Sequence, residues 1–359
     1  MAQRSEIEWT DATWNPVRGC TRVSEGCRNC YAEILAARFN KPDQWGHGFA
    51  QTVITSAGAI DHRWTGKVSL IESQLDLPLR WKQPRNIFVN STSDLFHEAL
   101  PEADLHRVFA IMALAPMHTF QVLTKRAERM RDYCSKDWTY ESVYCEMGNL
   151  GERLLGDPHP YRLFYPNGMP WPLPNVWLGV SVEDQERAEE RIPLLLDTPA
   201  AVRFISAEPL LGPIDVTRLR GGTLDALDGH DFEAIGDIRD AGVLSRTKHS
   251  PGLDWVIVGG ESGHDARPMH PEWARALRDQ CAAAGVPFFF KQWGEWAVAP
   301  EHLNYSDAIG WAVDIGTPWR MADRIQHNSS GHTFARVGKT RSGRTLDGVE
   351  HNGFPKVGA

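Results

Sequence analysis

Seven short apolar runs, all but the first closed by a cluster of polar and ionisable residues, constrain this chain more than any other feature. They cover residues 12–18, 87–91, 119–123, 176–181, 202–206, 255–259 and 286–290. Stretches with helical periodicity lie between them, at about 28–39, 102–115, 183–196 and 271–284. The last opens at Pro271 and stops before Gly285, a matched start and stop signal. Strands alternating with helices in this way imply a parallel sheet with right-handed crossovers. The expected class is α/β: a parallel (β/α) barrel or partial barrel rather than two separate domains, with a doubly wound open sheet as the alternative. A single barrel-like catalytic domain is expected over 1–310. It carries insertions at about 130–175, rich in aromatics and proline, and at 216–253, rich in Gly, Asp and Arg. Both exceed the usual length of a connection. Residues 311–359 are read as a basic extension packed on or near the active face.

The polar clusters that end the runs are Asn90-Ser91-Thr92-Ser93-Asp94, Thr124-Lys125-Arg126, Ser181-Val182-Glu183-Asp184, Ser206-Ala207-Glu208-Pro209, Gly259-Gly260-Glu261-Ser262 and Lys291-Gln292-Trp293-Gly294-Glu295. In parallel β/α folds the carboxyl ends of the strands share one face, and that face carries the chemistry. Ser181, Ser206 and Ser262 taken singly are each also explained as helix N-caps. Six clusters together are harder to explain by capping and favour an enzyme.

After the first run come Cys20, Cys27 and Cys30, spaced Cys-x6-Cys-x2-Cys. Three thiolates on one loop suit three irons of a [4Fe–4S] cluster, with the fourth iron open to a ligand. Two plainer readings stand beside it. One is a structural zinc site completed by a histidine such as His47 or His62, and the other is ordinary buried thiols. No apolar run is long enough to span a bilayer, and the first residues lack a secretory apolar segment, so the expected location is cytoplasmic, with no membrane partner. In that setting six cysteines argue for metal or redox chemistry rather than disulfides, and the scattered Cys134, Cys145 and Cys281 are read as structural. The net charge of −8 excludes an indiscriminate nucleic-acid binder. Between residues 320 and 344, however, Arg320, Arg324, Arg336, Lys339, Arg341 and Arg344 face a lone Asp323. Such a run is either a solvated surface or a phosphate-contacting segment, with Arg336, Lys339, Arg341 and Arg344 as candidate nucleic-acid contacts.

The segments Thr13-Trp14-Asn15-Pro16, Gly19-Cys20, Gly26-Cys27, Cys30-Tyr31-Ala32-Glu33, Gly179-Val180-Ser181-Val182-Glu183, Glu208-Pro209-Leu210-Leu211-Gly212, Gly259-Gly260-Glu261-Ser262-Gly263 and Lys291-Gln292-Trp293-Gly294 form a recognisable set. Together with Gly338-Lys339, Gly343-Arg344 and Leu346-Asp347-Gly348, they resemble an uncharacterised, phage-associated family with a three-cysteine motif. That resemblance implies a three-Cys-motif partner protein. The family is in turn similar to radical S-adenosylmethionine (SAM) enzymes of the spore photoproduct lyase branch. This implies a barrel of the radical SAM type, a [4Fe–4S] cluster on Cys20, Cys27 and Cys30, SAM as cofactor and an external electron donor. It also implies SAM contacts at Ser93, Lys125 and Ser181. Lys125 would meet the SAM carboxylate or ribose, and Glu208 or Glu261 the ammonium or ribose hydroxyls. Lys291 and Glu295, with Gln292, are left for substrate as catalytic candidates.

The chain departs from that branch in two ways. The usual loop is Cys-x3-Cys-x2-Cys with an aromatic before the last cysteine, whereas here the first gap is six residues, Asn29 precedes Cys30 and Tyr31 follows it. The Gly-Gly-Glu string also lies late, at 259–261. The leading expectation is a radical SAM enzyme acting on a nucleic-acid or nucleotide-like substrate. The alternatives are a zinc- or cluster-containing nucleic-acid-binding module without turnover, and a radical enzyme that modifies a protein partner.

Overall fold

The computed structural model describes residues 5–56, 58–157, 159, 161–234, 244–248, 251–298, 325–327 and 333–356. Arg320 and Arg324 of the basic run, and most of the stretch 299–332, lie outside the described residues. Each expected run supplies a strand: β1 (Ala12–Trp14), β2 (Asn86–Val89), β3 (Thr119–Thr124), β4 (Val176–Ser181), β5 (Val202–Ala207), β6 (Trp255–Gly259) and β7 (Phe288–Gln292). The first run, expected over 12–18, breaks after Trp14, and Val17–Arg18 pairs antiparallel with Ser69–Leu70 instead. They form one sheet in the order β1-β2-β3-β4-β5-β6-β7, with parallel pairing such as Ala12↔Ile87, Ile87↔Phe120, Phe120↔Val176 and Val256↔Phe288. A doubly wound sheet reverses its strand order at a switch point, and this order contains no reversal. The succession is that of a partial (β/α) barrel. Every residue of β4, β5 and β6 is buried. That explains why these strands read as continuous apolar runs instead of alternating ones.

The expected helices are present as α1 (Tyr31–Arg38), α2 (Glu102–Leu114), α5 (Gln185–Leu196) and α6 (Pro271–Ala284). In α2, Glu102 and Asp104 complement the positive end of the helix, and Leu105, Val108, Phe109, Ile111 and Met112 are buried. In α6, the His270 side chain accepts the Glu272 N–H at 3.1 Å, Pro271 takes the first turn, and Gly285 closes the helix at φ 71. The stretch 130–175 contains the end of α3 (Ala127–Ser135) and a long helix, α4 (Asp137–Leu155). Its aromatics anchor it. Tyr165 donates to the Ala113 carbonyl at 3.2 Å, and the Trp171 indole donates to the Cys134 carbonyl at 3.0 Å. Within 216–253, three short antiparallel strands run over Leu224–Asp225, His230–Ala234 and Leu244–Lys248.

The chain divides into two compact units. The first comprises Met1–Ser181, Glu190–Phe204 and His249–Leu253, and the second Val182–Glu189, Ile205–Lys248 and Asp254–Ala359. The first unit also holds an antiparallel hairpin, Ala50–Ile54 with Ile60–Trp64. In the second, the described C-terminal residues pack on β7 and α6. Phe289 bridges to Asn352, the Trp255 indole donates to the Gly353 carbonyl at 2.8 Å, and Asp347 takes Arg275 and Arg278. Among the described residues no helix is long and apolar enough to cross a membrane.

Candidate functional site

In the first unit the cysteine loop leaves β1 and is latched to the end of β2. The Asn15 carboxamide oxygen accepts from the Thr92 N–H and from the Ser91 and Thr92 hydroxyls. Asn90 accepts the Val17 N–H at 3.3 Å, and Ser93 donates its hydroxyl to the Val17 carbonyl at 2.8 Å. Residues 17–18 then pair with 69–70, which draws the chain under Lys67. Gly19 makes that passage feasible: its φ is +89°, and a Cβ there would lie 1.9 Å from the Lys67 carbonyl oxygen. Cys20 follows immediately. Cys27 closes a single 3-10 turn, and Cys30 occupies the N-cap position of α1. All three thiols are free and partly buried.

The loop is gripped by side chains distant in sequence. Arg126, itself buried, donates Nε to both oxygens of Glu98 and Nη1 to Asp94 Oδ2 at 3.0 Å and to the Cys20 sulfur at 3.8 Å. Its Nη2 donates to the Thr21 hydroxyl at 2.8 Å and to the Thr21 carbonyl at 3.3 Å. Thr21 Oγ1 also lies 2.9 Å from His97 Nε2, while His97 Nδ1 accepts the Ala99 N–H. That acceptance fixes the neutral tautomer with its proton on Nε2. Burial, reinforced by Arg126, lowers the His97 pKa and keeps the ring neutral. One residue on, Arg22 pairs with Glu33, which is almost wholly buried and also accepts the Trp64 N–H at 2.6 Å.

The thiols respond to this setting. Burial pushes Cys20 up to about 12; Asp94 adds to the shift, Arg126 opposes it, and Cys30 and Cys27 raise it further. Burial also raises Cys30, against the pull of the Glu33 and Ala32 backbone N–H groups at the start of α1. Burial lowers the Arg126 pKa, but Asp94, Cys20 and Glu98 outweigh that and hold it above its ordinary value. Three thiols on one loop, with a cation at one sulfur, are the residues that could hold a three-thiolate iron–sulfur cluster. Among the described residues no group of three or more His, Cys, Asp or Glu is gathered to hold a single metal ion. His47 bonds to the Asn40 carbonyl, and His62 lies 3.4 Å from the Thr52 hydroxyl.

Of the expected cofactor contacts, Lys125 and Ser181 meet: Lys125 Nζ donates to Ser181 Oγ at 2.6 Å. Asp94 fixes the base of Lys125 by accepting its backbone N–H at 3.1 Å and the Thr124 hydroxyl at 2.7 Å. Ser93 stands in the bridge with Gly19, beside Cys20.

The second unit gathers the later candidates. Lys291 Nζ donates to Glu208 Oε1 at 2.5 Å. Glu261 is buried and takes a forked pair from Arg267 as well as the Arg267 N–H. Glu295 accepts the Gly263 N–H at 3.2 Å and lies 3.8 Å from Arg336. A Cβ on Gly260 would sit 1.9 Å from the Trp293 carbonyl oxygen, so the Gly-Gly-Glu and Lys-Gln-Trp-Gly strings cross in close backbone contact. Of the candidate nucleic-acid contacts, Arg344 reaches Glu350, Asn352 and the Phe289 ring, while Lys339 and Arg341 are exposed. Cys134 and Cys281 are core residues; Cys145 is exposed on α4.

Sequence reasoning missed Arg126, Asp94, Thr21, His97 and the Arg22–Glu33 pair as parts of the site. Asp94 and Arg126 end the first and second polar clusters, which was the available signal. Neither a curated protein nor a solved structure matches the chain. One family model does, over residues 4–355, and by that match the chain belongs to the family described as "Protein of unknown function (DUF5131)".

Proposed function

We propose that this chain is an iron–sulfur enzyme of the radical SAM type, with Cys20, Cys27 and Cys30 ligating a [4Fe–4S] cluster and Ser93, Lys125 and Ser181 around SAM. One observation carries the reading. The buried Arg126 guanidinium donates to the Cys20 sulfur while its other N–H groups hold Thr21, so the thiols stand on backbone organised in advance. A loop built in this way follows the first strand of a parallel sheet of sequential order, at the strand ends where such sheets carry their sites.

Cys20, Cys27 and Cys30 would hold the cluster, which would supply the electron for reductive cleavage of the SAM sulfonium. An external one-electron donor supplies that electron. The chain's own residues bind and orient. Lys125 presents an ammonium, steadied by Ser181, to a carboxylate or ribose oxygen. Ser93 donates to Val17, and its oxygen remains able to accept. Asp94 keeps the Lys125 backbone in register with the cysteine loop by bonding to both Lys125 and Arg126. A nucleic-acid or nucleotide-like substrate rests on the resemblance to the photoproduct lyase branch and on the exposed Lys339 and Arg341.

Anaerobic reconstitution with iron and sulfide tests the reading. A brown protein with broad visible absorption that cleaves SAM on reduction supports it. Stoichiometric zinc in a colourless protein rejects it and leaves a binding module.

A further inference from the structure

We propose that Arg126 is a positioning residue that sets the reduction potential of the metal centre through the sulfur of Cys20; this rests on the cluster reading above. The guanidinium cannot swing away. Besides the sulfur it contacts Asp94, Glu98, the Thr21 hydroxyl and the Thr21 carbonyl, and it is 6% exposed. A cation so placed is poorly screened by solvent. An N–H donated to a thiolate withdraws electron density from it, and hydrogen bonds to ligating sulfurs together with net charge set cluster potentials. Reduction adds one negative charge to the centre, so a fixed cation at one ligand favours the reduced state.

Asp94 sharpens the argument. Its carboxylate is buried and accepts, at 3.0 Å, from the same Nη1 that reaches the Cys20 sulfur. Removing the Arg126 charge therefore exposes the centre to an uncompensated anion. A lysine in its place restores the charge but cannot span four acceptors and the sulfur at once.

The experiment is a redox titration followed by electron paramagnetic resonance on the reconstituted full chain, with wild type, Arg126→Lys, Arg126→Gln and Glu98→Gln. The midpoint should fall in the order wild type, Arg126→Lys, Arg126→Gln. The Glu98 side chain is 65% exposed, so Glu98→Gln keeps the fold. It frees the guanidinium from one anion and should raise the midpoint. Should Arg126→Gln fail to fold, Glu98→Gln decides, and a midpoint at or below wild type overturns the inference. An Arg126→Gln protein that holds its cluster at the wild-type potential also overturns it, with the cluster reading intact. Wild-type protein that takes up no cluster overturns both.

Discussion

Gly19→Ala, set beside Gly66→Ala, isolates the steric demand of the cysteine loop. The two glycines have nearly equal backbone angles, φ +89° and +85°. Both alanines therefore pay the same backbone strain, about 1–2 kcal/mol. They differ in the space around the new methyl group. At Gly66 nothing lies within 4 Å, whereas at Gly19 the methyl meets the Lys67 carbonyl oxygen at 1.9 Å and its carbon at 2.9 Å. Since Cβ atoms essentially never approach closer than 3.0 Å, one backbone must move by about 1 Å. Neither moves freely. Arg18 is paired with Ser69 on one side, and Gly19 itself is bridged to Ser93 on the other. Overpacking of this kind adds about 1–3 kcal/mol to the backbone term. At roughly 2–4 °C per kcal/mol for a body of this size, Gly19→Ala should melt about 2–12 °C below Gly66→Ala. Differential scanning calorimetry of the two variants reads the difference directly. A second readout ties it to function, because Cys20 is the next residue: iron uptake should fail in Gly19→Ala and persist in Gly66→Ala. Equal melting temperatures would refute the steric argument, and normal iron uptake in Gly19→Ala would refute the claim that this passage sets the position of Cys20.

Alanine at Cys20, Cys27 or Cys30 should abolish cluster uptake, whereas Cys134→Ala and Cys281→Ala, both in the core, should keep their iron at some cost in stability; iron and sulfide analysis decides. Lys125→Ala and Ser181→Ala should leave the cluster in place and weaken SAM binding by roughly 10–100-fold, as expected for losing a charge-assisted hydrogen bond; unchanged affinity by calorimetry in both would remove them from the cofactor site. Asp347 is held at about 2 by the Arg275 hydrogen bond first, against some burial, with Arg278 assisting. A depressed carboxyl stabilises above its unfolded value and loses that contribution as pH falls from about 4 towards 2, so wild type should converge in melting temperature on Asp347→Asn across that window. The side chain is 38% exposed, so the gap at neutral pH should stay below about 1 kcal/mol, and a gap that widens on acidification contradicts the assignment. Lys339→Ala with Arg341→Ala should leave uncoupled SAM cleavage alone and, if nucleic acid is the substrate, flatten the salt dependence of binding by roughly two phosphate contacts; wild type without DNA or RNA affinity at low salt would point to another substrate class.

The strands were legible because burial on both faces leaves nothing to alternate: Val176–Ser181 and Val202–Ala207 are apolar runs for the same reason that they are interior. Their polar ends were legible too: Lys125 and Ser181, each implied by the resemblance as a cofactor contact, are hydrogen-bonded to one another, and Glu208 and Lys291, read separately as a cofactor and a substrate candidate, are paired. The hairpin over 50–64 was not. Its tip carries Ile54 and Ile60 largely exposed, so no buried face imposes a pattern on it. Helix α4 was readable and missed. Thr139, Val143, Met147 and Leu150 are buried at helical spacing, but the surrounding aromatics and prolines made the stretch look like an insertion. Arg126 could not be assigned from its neighbours, since the sulfur it contacts is 106 residues away. In sequence it was one more cation beside Lys125.

The basic run shows how charge counting misleads where folding has already used the charges. In sequence, Arg336, Lys339, Arg341 and Arg344 form one positive segment. In the structure, Arg336 donates to the Gly263 carbonyl and faces Glu295, and Arg344 lies 5.1 Å from the Phe289 ring centre with Glu350 alongside. Those two side chains hold the C-terminal residues to the second unit's own strands. A phosphate that displaced either would break an internal contact first, which lowers the gain from binding. Lys339 and Arg341 lie in the short helix Lys339–Ser342 between Gly338 and Gly343 and are exposed. If this segment recognises a polyanion, Lys339 and Arg341 are the exposed cations among its described residues.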